Sequence, residues 1–165
     1  MPIKIKVKTN KKVEKAINDL VDGHVKVGWF EGQTYPKKKL TVAENAYMQN
    51  KGFTIKHKNG TETKVPPRPF VQLTMDKNTN KWNTFWKQEY KQVLDGFIKL
   101  KMALNKLGIM VKEDIQKTLK SNVPPKLADS TLKARKTKGN YSETTLIDTK
   151  RMYDTINYKS EVYKK

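Results

Sequence analysis

The chain contains two histidines, His24 and His57, and each stands alone. Neither has a second histidine three or four residues away, the spacing that puts two ligands on one helix face around zinc. Both read as structural or solvated side chains. Glu113 and Asp114 form an adjacent carboxylate pair within a helical pattern. Neighbours on a helix diverge by about 100°, so these two cannot share a proton, and they read as a solvated face balancing nearby lysines. There is no cysteine, which removes thiol catalysis, disulfides and Cys-type zinc sites. No GxxxxGK[ST], GxGxxG or GxSxG pattern occurs. The residues point away from an enzyme, and neither a cofactor nor a metal is expected.

What remains is cationic chemistry. Lysine plus arginine is 35 against 16 carboxylates, a net charge of +19. Such an excess repels itself unless an anionic partner or an assembly absorbs it. Lys37, Lys38 and Lys39 form one run, and Lys133, Arg135 and Lys136 a second patch. Each suits diffuse contact with phosphate, which positions a protein without reading sequence. The run at 37–39 also fits an acidic protein partner or a merely solvated loop. Arg68 differs from these, because Pro67 and Pro69 fix its approach and its planar fork suits a fixed carboxylate or carbonyl. It reads as a protein–protein contact or as a brace for the proline turn. Trp82, Phe85, Trp86 and Tyr90 could stack bases, but their spacing is what a buried helix face needs, and core packing is the expectation.

The elements that must position these residues follow from periodicity. Ile3, Ile5 and Val7 alternate with lysines, which predicts a strand at 3–8, and Val13, Ala16, Ile17 and Leu20 predict a short helix capped by Asn10. Val25, Val27 and Trp29 predict a strand at 24–30. Thr41 caps a helix that ends near Gly52. Asn59-Gly60, set between alternating runs, predicts a hairpin of strands 53–58 and 61–65, with both turn positions at φ > 0. Two apolar stripes follow, one through Trp86 and one through Leu107. A single helix over 80–120 would be about 60 Å long, against a radius of gyration of about 15 Å for a compact chain of this size. Asp95-Gly96 offers a break, so two antiparallel helices are expected. Pro124 and Pro125 end the helical zone, a short helix is expected at 130–136, and a last strand at 155–162.

With 165 residues and 36% hydrophobic content, one domain over 1–165 with a modest core is expected. The fold class is α+β: a small mixed or antiparallel sheet covered on one face by the two long helices, with mobile loops near 31–39 and 137–144. No apolar run approaches the length of a membrane span and the start MPIKIKVK lacks a signal-like apolar region, so a soluble protein made in a cytoplasm-like compartment is expected.

Three stretches in order carry a resemblance: residues 41–53, TVAENAYMQNKGF; residues 65–70, VPPRPF; and residues 124–156, where PPKLADSTLKARK is followed by a polar gap and TLIDTKRMYDTI. Their order resembles the tail-completion and head–tail joining (virion morphogenesis) proteins of long-tailed bacteriophages. Lys150 stands where that family usually carries glycine, so the turn after Thr149 must avoid φ > 0 or accept strain. Gly52-Phe53 reverses the family's more usual aromatic–glycine order.

The resemblance implies a structural, non-enzymatic neck subunit that forms a ring at the head–tail interface of a virion, through which DNA passes. Its partners would be copies of itself, the head–tail connector, and tail-terminator or tail-tube proteins. It would reside in the neck or upper tail, and in host cytoplasm during assembly, without membrane contact. The residues expected to face DNA are Lys37, Lys38, Lys39, Lys133, Arg135 and Lys136. Those expected at protein interfaces are Pro67, Arg68, Pro69, Phe70, Asp148 and Thr149. The alternative is a sequence-independent nucleic-acid-binding protein of a phage that is not part of the virion, argued from charge alone. A nuclease lacks paired carboxylates in any motif context.

Overall fold

The computed structural model describes residues 22–36 and 40–163. The strand expected at 3–8, the helix after Asn10 and the run Lys37–Lys38–Lys39 lie outside the described residues. The fold is α+β. In chain order it comprises β1 (Asp22–Gly28), α1 (Val42–Lys51), β2 (Phe53–Lys56), β3 (Glu62–Val65), α2 (Phe70–Leu94), α3 (Leu100–Lys120), α4 (Asp129–Lys136), α5 (Arg151–Thr155) and β4 (Asn157–Tyr163).

Local chemistry explains the element ends. Thr41 and Glu44 close a reciprocal capping box on α1: the Glu44 N–H donates to the Thr41 hydroxyl at 3.1 Å, and the Thr41 N–H donates to the Glu44 carboxylate at 2.8 Å. Those bonds to Thr41 hold the Glu44 carboxyl below its ordinary range. At the other end of the long hairpin, Gly96 has φ 77°. Its N–H donates to Val93 O at 3.0 Å, and the Phe97 N–H donates to Gln92 O at 2.9 Å. That is the paired closure with which glycine stops a helix, and it turns α2 into an antiparallel α3 at the expected break.

The hairpin β2–β3 forms in the register Phe53↔Val65 to Lys56↔Glu62, but not through the expected turn. Gly60 alone in it has positive φ, 81°. The Gly60 N–H donates to His57 O at 3.0 Å, and Asn59 Oδ1 accepts from the Thr61 N–H at 3.1 Å. Asn59 thus supports the turn with its side chain instead of adopting a left-handed backbone, giving a three-residue loop closed by glycine.

The sheet arrangement also differs from the expectation of one sheet under two helices. There are two separate two-stranded antiparallel sheets among the described residues, β1–β4 and β2–β3. Helix α3 packs on both β1 and β4, and α2 packs on α3. The physical reason is width. Two strands about 4.8 Å apart make a ribbon about 10 Å wide, and one helix of about 10 Å diameter already covers it. Close approach is made at Gly108, where a Cβ would stand 2.6 Å from the Tyr158 ring, and at Gly23, where one would meet Leu104 at 2.9 Å.

The core does not centre on the aromatic stripe. It gathers Val42 and Ala46 of α1, Phe70 at the start of α2, Ile115 and Leu119 of α3, and Val123, Leu146, Met152 and Ile156. Trp29 packs edge-on to Phe70 and donates its indole N–H to Met152 O at 2.8 Å. Trp82, Phe85, Trp86 and Tyr90 are only half-buried, because the α2–α3 interface is a polar seam. Thr74 donates to Thr118 at 2.8 Å, Lys106 meets the buried Glu89 at 2.8 Å, and Asp114 lies between them.

Asp114 corrects the solvated reading of the Glu113-Asp114 pair, since it is 3% exposed while Glu113 faces solvent. It accepts from Lys81 Nζ and, at 2.8 Å, from Trp82 Nε1, and Lys117 Nζ stands 3.5 Å away. Burial pushes its carboxyl up. The bonds from Lys81 and Trp82, with the charges of Lys81 and Lys117, outweigh burial and hold it below the ordinary aspartate value.

Candidate functional site

The three sequence stretches of the family resemblance, the first two joined by the β2–β3 hairpin, meet around one cleft of about 550 Å³. Hydrogen bonds interlock them. The Arg68 main-chain N–H donates to Gln49 O at 2.9 Å, tying the proline turn to α1. Arg68 is 4% exposed, and its guanidinium donates through Nε to Pro125 O at 3.1 Å and through Nη2 to Lys126 O at 3.3 Å. Burial lowers its pKa, and the nearby charge of Arg135 adds to that. Asn45 Nδ2 reaches Tyr35 Oη at 2.8 Å and the Met152 sulfur at 3.1 Å, linking α1 to α5. Burial raises the Tyr35 phenol, against the Asn45 bond.

Arg135 joins the two halves of the third stretch. Its Nη1 lies 3.0 Å from Ser142 O, 2.9 Å from Thr144 O and 3.1 Å from Ile147 O, and its Nε is 3.4 Å from Asp148 Oδ1. Asn140 Nδ2 reinforces this by donating to Asp148 O at 2.9 Å and Oδ1 at 2.8 Å. Within the segment 137–144, expected to be mobile, the Ser142 and Thr144 carbonyls accept from this guanidinium. The loop expected near 31–39 is likewise tied where it is described: the Val42 N–H donates to Gln33 O at 2.8 Å, Gln33 Nε2 to Thr155 O at 2.9 Å, and Arg151 Nη2 to Thr34 O at 2.8 Å.

The expected site residues separate accordingly. Lys133 and Lys136 are exposed on α4, whereas Arg135 is 8% exposed and its fork is spent on main-chain carbonyls, which withdraws it from the DNA-facing set. Pro67 and Pro69 are exposed. Arg68 is buried and bonded within the chain to two carbonyls. Phe70 is fully buried in the core, so its side chain is not an interface surface. Asp148 and Thr149 are exposed and line the cleft.

The cleft is strongly cationic. Lys64, Lys126, Lys138 and Lys150 line it from exposed positions, with Arg68, Arg135 and Arg151 among them, and Asp148 is its one carboxylate among the described residues. Phe53, Ile55, Leu127 and Leu146 supply apolar lining. Thr145, 5% exposed, is among the lining residues; its hydroxyl and Arg151 Nε are buried without a hydrogen-bond partner. Lys150 takes a left-handed backbone, φ 57° and ψ −4°, the one non-glycine residue to do so among the described residues.

Sequence reasoning missed the burial of Asp114 and Arg135, the short helix α5 and the cleft itself. The recurrence of Thr74, Lys81 and Glu89 at intervals of seven and eight was a legible signal of the polar seam. Nothing in the local pattern marked Arg135. Among the described residues no group of three or more His, Cys, Asp or Glu side chains is placed to hold a metal ion, and no helix is long and apolar enough to cross a membrane. Comparison with family models, with curated proteins and with solved structures finds no match to this chain.

Proposed function

We propose that this chain is a structural, non-enzymatic virion protein of a long-tailed bacteriophage, a tail-completion or head–tail joining subunit that forms a ring in the neck. The observation that carries the reading is the convergence of its three resembling stretches. Residues 41–53, 65–70 and 124–156 are tied together through Arg68 and Asn45 and wall one cleft. Lys150 adds to this support. The turn where the family usually carries glycine keeps the left-handed backbone that favours glycine, and here lysine accepts the strain.

In this reading the lysine excess reduces repulsion from the DNA in the conduit, through weak, sequence-independent contacts. Lys133 and Lys136 of α4 contribute, as do Lys37, Lys38 and Lys39. The subunit meets further copies of itself, the connector, and tail-terminator or tail-tube proteins, in the neck or upper tail once assembled in the host cytoplasm. The test is disruption of its gene in the phage that encodes it, with electron microscopy of the lysate. DNA-filled heads and separate, unjoined tails are expected. Joined, infectious particles made without the protein would overturn the reading.

A further inference from the structure

The cleft carries a chemistry that the neck reading does not use. Its wall combines exposed lysines with apolar side chains and holds one carboxylate, Asp148, among the described residues. A concave surface with such a surplus of cations over carboxylates, interrupted by apolar side chains, is complementary to an anionic ligand that also carries apolar groups.

We propose that this cleft docks an extended acidic segment of a neighbouring protein, whose carboxylates meet the rim lysines and Arg151 and whose apolar side chain lies against Phe53, Ile55 and Leu127. Placing that neighbour in a virion rests on the reading above; the docking itself rests on the cleft. Charge decides between occupants. A second copy of this chain carries +19, and its residues 1–21 hold six lysines against Glu14 and Asp19, so neither is complementary. A cleft of about 550 Å³ is in the range of about 300–1,000 Å³ that encloses small ligands or a few side chains. Duplex DNA presents its phosphates on a convex surface, which a concave wall with apolar lining fits poorly.

The test uses the full chain and a fluorescein-labelled peptide, Asp-Leu-Glu-Leu-Asp-Glu, followed by anisotropy. A triple variant at the rim, Lys64→Glu, Lys126→Glu and Lys138→Glu, is compared with an equal charge change on the exposed helix faces, Lys87→Glu, Lys91→Glu and Lys101→Glu. The rim variant should weaken the peptide about tenfold or more and the helix variant less than about threefold. No binding by the parent chain, or equal loss in both triple variants, overturns the proposal. Selective loss of duplex DNA affinity in the rim variant, with peptide binding intact, overturns it in favour of nucleic acid. Peptide docking alongside particles that join without the protein would remove the neck reading and leave the cleft assigned. Unjoined particles with no peptide docking would do the reverse.

Discussion

Replacing Arg135 with lysine separates a structural clamp from a DNA contact, because the charge is kept and the fork is lost. Nη1 carries two hydrogens, so the three carbonyls of Ser142, Thr144 and Ile147, all within 3.1 Å, share two N–H groups. The site is 8% exposed, which leaves a strongly hydrated lysine ammonium poorly accommodated. At about 1.5 kcal/mol for each charge-assisted bond, Arg135→Lys should cost about 3 kcal/mol. For a chain of this size a loss of 1 kcal/mol lowers Tm by about 2–4 °C, so a fall of about 6–12 °C is expected. Non-specific DNA binding follows the number of phosphates neutralised, and its salt slope should stay as in the parent. Thermal unfolding by circular dichroism, paired with DNA titrations at several salt concentrations, reads both quantities. A variant melting within about 1 °C of the parent, with the salt slope unchanged, would refute the clamp and return Arg135 to the DNA-facing set.

Asp114→Asn should cost about 2–3 kcal/mol at neutral pH, less than a fully buried pair because Lys81 is 45% exposed. Since the folded carboxyl sits below the ordinary aspartate value of 3.8, its stabilisation is present above that value and lost as pH falls through the lower folded one. Urea midpoints of parent and variant should therefore converge below about pH 4, and a constant offset at every pH would contradict the charge argument. Phe70→Ala should cost about 3–5 kcal/mol and Trp86→Ala under about 2, since Phe70 is fully buried and Trp86 half-buried; the reverse order in denaturant titrations would put the core back on the aromatic stripe. Lys150→Gly should stabilise by about 0.5 kcal/mol, relief of left-handed strain exceeding glycine's added entropy cost, whereas Lys150→Val should destabilise; a destabilised glycine variant would mean that the lysine side chain holds the turn.

What the amino-acid sequence determined by itself is what depends on near neighbours. Thr41 and Glu44 specify a capping box because their partners are three residues away, and Asp95-Gly96 stops α2 because the closing bonds reach back only to Gln92 and Val93. Asn59-Gly60 marks a hairpin for the same reason, although the choice among closely related turns lay beyond it. The α+β class followed from alternating segments beside helical stripes, and the cationic character from counting.

Tertiary structure alone decided which faces meet. An aspartate on a helix looks the same in sequence whether solvated or buried; Asp114 became buried because α2 brought Lys81 and Trp82 to it across the hairpin. Arg135 read as one cation in a basic patch until the carbonyls of 142, 144 and 147 folded back onto it. The cleft has no local signature, because its walls come from segments up to about a hundred residues apart that Arg68 and Asn45 draw together. Burial and charge pairing are properties of the assembled surfaces, and residue type sets only what each surface can do once it is there.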